Sequence, residues 1–437
     1  MKISLFQGIL FGVFGVAALV GIFVFATHTG SNAGSKNPTD VGTVVIWGTL
    51  PKVAMQNALT TITQSDTSLK AVSYVQKNQD TLPSDLASAI ATGNAPDLIL
   101  ASQEELHSLA KLITPIPFAT LPASTFTTTF VEGGKIFATP DGTGYYGIPF
   151  LVDPLVLFSN RAILSSNGIA KPPATWEALT GLVPNLSILT PTKQITRGLI
   201  ALGTYDNVHD ARGILSSLFL QTGVPLSSYA NGSLVANLSG VASSGTLPGQ
   251  AVLSFYTQFA DPSKVSYTWN ASLPDSQQAF LAGDLALYLG YASEVRFLSA
   301  ANPNLDFAVT PLPQPATAST KTAYGLLYAF MIPRGAQNAS GAYQAAALLT
   351  GSAAQATAAT ATGLAPATVN QLAAAPADPI AAVAYAEALY TKGWLSPAPA
   401  DTDAVFSGMI TSVISGRLAP GTALTSSENS LSSLLQK

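Results

Sequence analysis

Short apolar runs alternate with amphipathic segments over the first quarter of the chain. Runs rich in β-branched and aliphatic residues, typical of buried strands, occupy 43–48, 70–75 and 98–100. Apolar residues recur at helical spacing in 52–64 and 81–93. Strands that alternate with helices in this way predict an α/β layer with a largely parallel sheet.

A longer apolar run, 145–161, interrupts this alternation. It begins with an aromatic-Gly turn, carries a single acid, Asp153, next to a proline, and continues as a second β-rich run. This pattern indicates a strand that leaves one domain and becomes a strand of the next. We expect the acid to lie in the cleft between the domains, where ligands commonly bind.

The remaining pattern continues as strands and helices, and no segment repeats at a fixed period, which argues against solenoids and propellers. The predicted strands are 199–203, 285–291, 306–313 and 323–332, and the predicted helices are 210–221, 248–259, 277–284, 340–362, 378–393, 402–416 and 427–436.

The N-terminal segment is apolar and uncharged between residues 3 and 26 and follows Lys2. As a helix it would span about 36 Å, enough for a hydrocarbon core of ~30 Å, so we expect a transmembrane helix with the bulk of the chain facing outward. Cleavage as a secretory signal is the alternative. We therefore predict an anchor or signal at 1–27 and a flexible tether at 28–42. The protein would then be held at the outer face of the cell membrane, or be secreted after cleavage.

Composition excludes several kinds of partner. Only 10% of the 437 residues are charged, against ~25% in ordinary soluble proteins, and the net charge is -4 with no basic block. We expect no nucleic-acid partner, because phosphate binding needs clustered Lys and Arg. The chain has no cysteine, which removes disulfides, thiolate metal ligands and cysteine nucleophiles.

Catalytic motifs are also missing from the sequence. His28, His107 and His209 are scattered, and none has a partner at metal-ligand spacing. No G-x-S-x-G elbow or P-loop occurs, and no local pattern singles out a pair of carboxylates. We predict no enzyme activity, no metal and no cofactor, with a secreted hydrolase as a distant alternative.

Five segments are weak signals individually, but their order and spacing along the chain form a specific pattern. They are 44–47, 95–100, 146–177, 279–287 and 306–313, the last followed by Gly325. In this order they resemble extracellular solute-binding proteins of the maltose-binding type, which are receptors of ABC importers. The resemblance covers most of residues 43–437.

The resemblance implies an α/β, two-lobed periplasmic-binding-protein type II fold with β-strand crossovers, preceded here by the N-terminal transmembrane helix. Its ligand would lie between the lobes, which close by a hinge motion. On this basis lobe 1 comprises 43–151 plus 306–360, and lobe 2 comprises 152–305 plus 361–437.

The resemblance also implies which positions line the cleft, at strand ends and turns that match the family pattern. The candidate ligand-binding residues are Trp47, Thr49, Ser102, Gln103, Tyr146, Asp153, Tyr291, Tyr324 and Gly325. Tyr291 takes the place of a stacking aromatic, whereas Tyr146 is equally expected to pack at a hairpin.

Alternative structural roles stand beside some of these assignments. Asp153 is the strongest candidate, because a lone acid in an apolar strand is costly unless it is satisfied or solvated. Its alternative is a cap or a salt bridge with Arg161. Trp47 is expected in a core as readily as at a ligand. For Trp176 a core role at a helix start is favoured over a site, and for Trp394 a role covering a lobe is favoured over a contact with ligand.

The function implied is a receptor that captures a small polar solute, with carbohydrate as the leading class. Its further partners would be the ABC permease subunits that receive the solute and the membrane that holds the N-terminal helix. A membrane-tethered surface sensor or interaction module with the same fold is the alternative.

Overall fold

The computed structural model describes residues 40–240 and 247–436. The predicted anchor at 1–27 and most of the tether at 28–42 lie outside these ranges. Among the described residues, no helix combines the length and the apolar character needed to span a bilayer. The membrane anchor therefore stays a prediction.

The described residues form strands and helices in an alternating order. The strands are β1 Val44–Gly48, β2 Val72–Gln76, β3 Leu98–Ser102, β4 Ile116–Pro117, β5 Gly144–Tyr145, β6 Gly147–Asn160, β7 Ile188–Leu189, β8 Ile195–Ile200, β9 Ser227–Ala230, β10 Ser233–Ala236, β11 Leu285–Tyr291, β12 Phe307–Thr310, β13 Ala323–Met331, β14 Ala365–Pro366 and β15 Thr391–Lys392. The α-helices are α1 Lys52–Ser65, α2 Leu82–Ala91, α3 Gln103–Leu109, α4 Ala123–Thr129, α5 Arg161–Ser166, α6 Trp176–Thr180, α7 Val183–Leu186, α8 Ala211–Leu220, α9 Pro248–Thr257, α10 Ser276–Ala282, α11 Val295–Ala301, α12 Ala339–Leu349, α13 Ser352–Thr362, α14 Val369–Leu372, α15 Pro379–Ala388, α16 Pro399–Ile414 and α17 Pro420–Leu435.

A mixed sheet runs through the molecule in the order β2-β1-β3-β13-β6-β11-β8-β7. The strands β1, β2 and β3 are parallel, as the sequence pattern predicts. β13 is antiparallel to both β3 and β6, and β6 is antiparallel to β11. The antiparallel strands β13 and β6 thus join the parallel strands at the two ends of the sheet.

β6 is shared by both halves of this sheet, and all of its 14 residues are buried. Residues 147–154 pair with β13, and residues 155–159 pair with β11. The partner changes after Pro154, the residue next to Asp153, so the strand crossing predicted from the apolar run is confirmed.

Two hydrophobic cores lie on either side of this change of partner. The first surrounds β1, β2 and β3 and includes Phe150 of β6. The second surrounds β8 and β11 and includes Phe158 of the same strand. The strand β13 also belongs to both cores, with Tyr324 in the second and Leu327 in the first. Two cores joined through β6 and β13 give the two-lobed arrangement. The predicted lobe bounds stay a prediction, and Phe307 packs against the second core while Leu364 lies in the first.

The last two helices begin earlier than the sequence pattern predicts. α16 begins at Pro399 rather than at 402, and α17 begins at Pro420 rather than at 427. Proline in the first turn suits a helix N-terminus, because the amide hydrogen it lacks would have no partner there. The Ser- and Thr-rich start of α17 is stabilised by packing of Leu424, which outweighs its modest helix propensity.

Candidate ligand-binding site

Asp153 lies in β6 at the point where the strand passes from one core to the other. Its side chain is buried and accepts a hydrogen bond from the backbone N–H of Ser293 at 3.0 Å. Arg161, the alternative partner, pairs instead with Asp306 at 3.2 Å on the surface. Burial raises the pKa of Asp153 to about 7, although the Ser293 hydrogen bond opposes this.

Ser102 ends β3 and caps the N-terminus of α3. Its Oγ accepts from the backbone N–H of Glu104 at 3.2 Å and donates to Oε2 of Glu105 at 2.8 Å. Glu105 is buried, and burial raises the pKa of its carboxyl to about 7, with the neighbouring Glu104 charge adding to the effect. The cap therefore fixes two acidic side chains at the start of one helix.

Gln103 is fully buried, and its amide joins α3 to β13. Its Nε2 donates to the carbonyl oxygen of Gly325 at 3.1 Å and to the hydroxyl of Tyr324 at 3.2 Å. Its Oε1 accepts from the backbone N–H of Leu327 at 2.6 Å. The position predicted to bind ligand thus also holds the neighbouring strand in place.

Gly325 lies where two backbones approach closely. A Cβ at this position would be 2.7 Å from the carbonyl oxygen of Asp153 and 2.7 Å from Cγ2 of Thr391. The adjacent Tyr324 is buried, and its hydroxyl donates to Oε1 of Glu104 at 2.5 Å. This glycine allows β13 to lie directly against the crossing strand.

A bidentate ion pair connects the two cores. Nε and Nη2 of Arg212, in α8, each lie 2.9 Å from a carboxylate oxygen of Glu104, in α3. Nη1 of Arg212 pairs with Asp403 of α16, whose other oxygen accepts from the hydroxyl of Tyr205 at 2.5 Å. The carboxylates beside it raise the pKa of Arg212, although burial opposes this, so the guanidinium stays charged. The side chain of Glu104 is only 2% exposed.

A second acidic group lies at the N-terminus of α8. Asp210 has a φ of 24°, and its Oδ2 is buried without a hydrogen-bond partner. Burial and the adjacent carboxylate of Glu294 raise the pKa of Asp210 well above its ordinary value. One nitrogen of His209 and one oxygen each of Asp210 and Glu294 lie within 4.8 Å of one another, a grouping that could hold a metal ion.

Tyr291 ends β11 and covers the start of α8. An added Cβ on Gly213 would meet the Tyr291 hydroxyl at 2.7 Å. The backbone N–H of Tyr291 donates to Oε1 of Glu294 at 2.6 Å. The other oxygen of Glu294, Oε2, accepts from Gln277 at 2.7 Å and from the hydroxyl of Tyr288 at 2.5 Å. The aromatic ring predicted to stack on a ligand is therefore fixed beside the acidic group of α8.

Three predicted ligand-binding residues of the first lobe, Trp47, Thr49 and Tyr146, lie apart from the group around Asp153. The Nζ of Lys77 lies 3.8 Å above the ring centre of Trp47, which is partly buried. The N–H of Thr49 donates to the carbonyl oxygen of Leu100 at 3.2 Å. Tyr146 is partly buried, and burial raises the pKa of its phenol. Within the described ranges, no side-chain hydrogen bond joins Trp47, Thr49 or Tyr146 to the residues around Asp153.

Trp176 and Trp394 are both 4% exposed and belong to the second core, which confirms the core role expected for Trp176. Their indole nitrogens donate to Gln221 at 2.7 Å and to Ser216 at 3.0 Å. These hydrogen bonds satisfy the polar edge of each ring inside the core.

The structure brings six of the nine predicted positions together, and it adds five residues that the sequence did not indicate. The six are Ser102, Gln103, Asp153, Tyr291, Tyr324 and Gly325. The five are Tyr205, Asp210, Arg212, Glu294 and Asp403. Of these five, Asp210 and Arg212 had a local signal, because they flank Ala211 at a predicted helix start.

A separate cavity of about 360 Å³ lies between α16 and α17. Met409, Ser412 and Arg417 contribute to its lining, and it contains none of the predicted site residues. At the candidate site, by contrast, Arg212 of α8 contacts Glu104 of α3, and the side chain of Asp153 accepts from the backbone of Ser293. The candidate site is therefore closed in this structure, with its polar groups satisfied mainly by each other.

Solved structures share this fold over nearly the whole chain. The cyclo/maltodextrin-binding protein complexed with maltotetraose aligns with a TM-score of 0.70 and 16% identity, covering 93% of this chain and 99% of that one. The cyclic α-maltosyl-1,6-maltose binding protein from Arthrobacter globiformis aligns with a TM-score of 0.73 and 15% identity, covering 90% and 99%. The maltose/maltodextrin-binding domain from Bdellovibrio bacteriovorus, bound to maltotriose, has a TM-score of 0.64 and 15% identity, covering 90% and 100%. At these identities the likeness shows the fold alone.

A family model supplies the assignment that the fold by itself does not. The model for bacterial extracellular solute-binding proteins matches residues 59–387, which include most of both cores and nearly all of the site. No curated protein sequence matches the chain. Members of the family are binding proteins that act outside the cytoplasm. The resemblance found in the sequence is thus confirmed, and the chain belongs to the bacterial extracellular solute-binding proteins.

Proposed function

We propose that this protein is the receptor of an ABC importer and captures a carbohydrate between its two lobes. The observation that carries the proposal is the position of Asp153, a buried acid in the strand that both cores share. Maltotetraose and maltotriose in the structural relatives support a saccharide as the solute class. The N-terminal segment would hold the receptor at the outer face of the membrane, within reach of the permease.

The chemistry of the site suits a polyhydroxylated solute. Carboxylates such as Asp153 and Glu104 accept hydrogen bonds from hydroxyl groups. In an open form without the ion pair to Glu104, Arg212 would have nitrogens free to donate to hydroxyl and ring oxygens. The ring of Tyr291 offers an apolar face to a sugar ring. The proposed ligand-binding residues are Trp47, Thr49, Ser102, Gln103, Tyr146, Asp153, Tyr291, Tyr324 and Gly325, together with Arg212.

Entry of the solute requires the lobes to separate. Glu104 of α3 and Arg212 of α8 contact each other across the two cores, so an open form loses this ion pair. Rotation about the strand crossing would expose Asp153 and Tyr291, and closure around the solute would bury them again. The closed receptor would then be the form that the permease subunits recognise.

A thermal-unfolding screen of the full-length chain in detergent tests the proposal. Neutral oligosaccharides, short peptides and polyamines are compared at equal concentration. A ligand at a hundredfold its Kd stabilises the folded state by about 2.7 kcal/mol. We expect stabilisation by a saccharide, and we expect Asp153→Asn to weaken it at least tenfold by calorimetry.

Asp306→Asn is the matched control, because Asp306 is exposed on the surface and lies in an ion pair outside the site. It should leave saccharide binding unchanged. A folded protein that no saccharide stabilises would refute a carbohydrate receptor and would favour the surface sensor. Unchanged binding by the Asp153 variant would refute the location of the site.

A further inference from the structure

The proposed cleft contains more acidic side chains than basic ones. Six carboxyl groups gather there from both lobes: Glu104, Glu105, Asp153, Asp210, Glu294 and Asp403. Among the described residues, Arg212 is the one cation that forms an ion pair with any of them. The site as folded therefore carries a surplus of negative charge or of bound protons.

Arg212 cannot balance this surplus, because its nitrogens are already engaged. Nε and Nη2 contact Glu104, and Nη1 contacts Asp403. Neither Asp153 nor Asp210 receives an ion pair from it. Another positive group would have to come from outside the chain.

Two buried carboxylate oxygens in this region have no hydrogen-bond partner. One is Oδ2 of Asp210, beside the carboxylate of Glu294, and the other is Oε1 of Glu105, a residue only 1% exposed. An unsatisfied buried acceptor is costly, and a buried carboxylate without a counter-charge costs more. Both oxygens are therefore suited to receive donors from a ligand.

We infer, on the basis of the proposed function, that the natural solute is a saccharide carrying a basic amino group, which lies against Asp210 and Glu294. A sugar hydroxyl donates one hydrogen bond and brings no charge. An ammonium group brings up to three donors and a full positive charge, which compensates the adjacent carboxylates of Asp210 and Glu294. Asp153 and Tyr291, next to this group, would hold the sugar ring.

A metal ion is the competing occupant, and the contacts favour the ammonium group over it. His209, the third member of the possible metal cluster, has a side chain that is 42% exposed and already faces Asp275 at 3.5 Å. Both oxygens of Glu294 already accept hydrogen bonds, from Tyr291, Gln277 and Tyr288. An ammonium group can donate to these carboxylate oxygens without displacing the donors already bound to them. A metal ion would have to bind the same oxygens directly and at shorter distances.

Calorimetry and thermal unfolding of the full-length chain with matched sugars test the inference. Glucose, galactose and mannose are each compared with their 2-amino-2-deoxy and N-acetylamino forms, and cellobiose is compared with the glucosamine disaccharide and its N-acetylated form. We expect the amine of at least one set to bind at least tenfold more tightly than its hydroxyl and acetamide counterparts.

Asp210→Asn should reduce that preference at least fivefold, and Glu294→Gln serves as the second variant if the first does not fold. Asp284→Asn is the matched control, because Asp284 is exposed and precedes β11, at the end of the strand opposite Tyr291. It should leave the preference unchanged.

Each other outcome overturns the inference in a distinguishable way. Neutral sugars that bind as well as their amines would refute the amino group and leave the carbohydrate receptor intact. Stabilisation by calcium or zinc alone that Asp210→Asn abolishes, without any preference for amines, would assign the acidic group to a metal ion. Absence of stabilisation by every sugar would refute the proposed carbohydrate function itself.

Discussion

Removing the Arg212 side-chain charge should destabilise the folded protein far more than removing a surface charge would. Arg212→Met keeps a long, unbranched side chain but leaves Glu104 without a cation. Because that carboxylate is only 2% exposed, water cannot replace the guanidinium. Breaking a buried pair from one side costs about 3–5 kcal/mol, against about 0–1 kcal/mol for an exposed pair.

The double variant Glu104→Gln with Arg212→Met separates the pair from its individual parts. It removes the buried charge together with its partner, so we expect it to be less destabilised than Arg212→Met alone. The remaining contact of Arg212, with Asp403, contributes little, because the Asp403 side chain is 41% exposed.

Urea unfolding followed by tryptophan fluorescence measures these changes in both lobes. Trp176 and Trp394 report on the second core, and Trp47 reports on the sheet of the first. Arg161→Met, which breaks the exposed pair with Asp306, is the matched control and should cost less than about 1 kcal/mol. The prediction would be refuted if the unfolding free energy of Arg212→Met lay within about 1 kcal/mol of that of this control. It would also be refuted if the losses from Glu104→Gln and Arg212→Met added up to the loss in the double variant.

Two further predictions concern pH and backbone approach. Burial raises the pKa of Glu105, Asp153 and Glu387 to about 7, from ordinary values near 4. Between about pH 4 and pH 7 the folded protein therefore binds more protons than the unfolded chain. The unfolding free energy should accordingly fall from pH 5 to pH 8. Glu387→Gln should flatten that fall in urea titrations, and a pH-independent midpoint in the wild type would contradict the shifts. Gly325→Ala should cost about 1–3 kcal/mol, because its Cβ would meet the backbone of the crossing strand, whereas Gly408→Ala, which has open space in a helix, should stabilise by about 0.5–1 kcal/mol. Equal midpoints for the two alanine variants would count against the close approach.

The elements could be predicted from the sequence where their signals are local. β1 and β3 are short buried runs between turn residues, and β11 was predicted with the bounds that the structure shows. The crossing strand β6 was recognisable because its apolar run is too long for one core and holds one acid. The predicted helix at 340–362 is two helices that meet at Gly351. The local sign of this break is the Thr-Gly-Ser sequence at 350–352, which the Ala-rich pattern on either side outweighed.

The site could be predicted only as far as the family pattern reaches. Ser102, Asp153 and Gly325 lie near the strand crossing, and the order of the family segments along the chain predicts this. Gln103 also lies beside Gly325, but its residue type does not reveal that its amide hydrogen-bonds to the backbone of β13. A polar residue in a pattern predicts proximity to a site, whereas its hydrogen-bond partners depend on strands more than 200 residues away.

The charged part of the site could not be predicted because its members are distant in sequence. Glu104 and Arg212 are 108 residues apart, and Arg212 and Asp403 are 191 apart. Each looks like an ordinary surface charge at a helix start until the two lobes are folded against each other. Only 10% of the residues in the chain are charged, yet six carboxyl groups gather around one arginine at the candidate site. A site for a neutral solute would not need such a concentration of charge. This concentration, rather than any single motif, therefore bears on what the cleft binds.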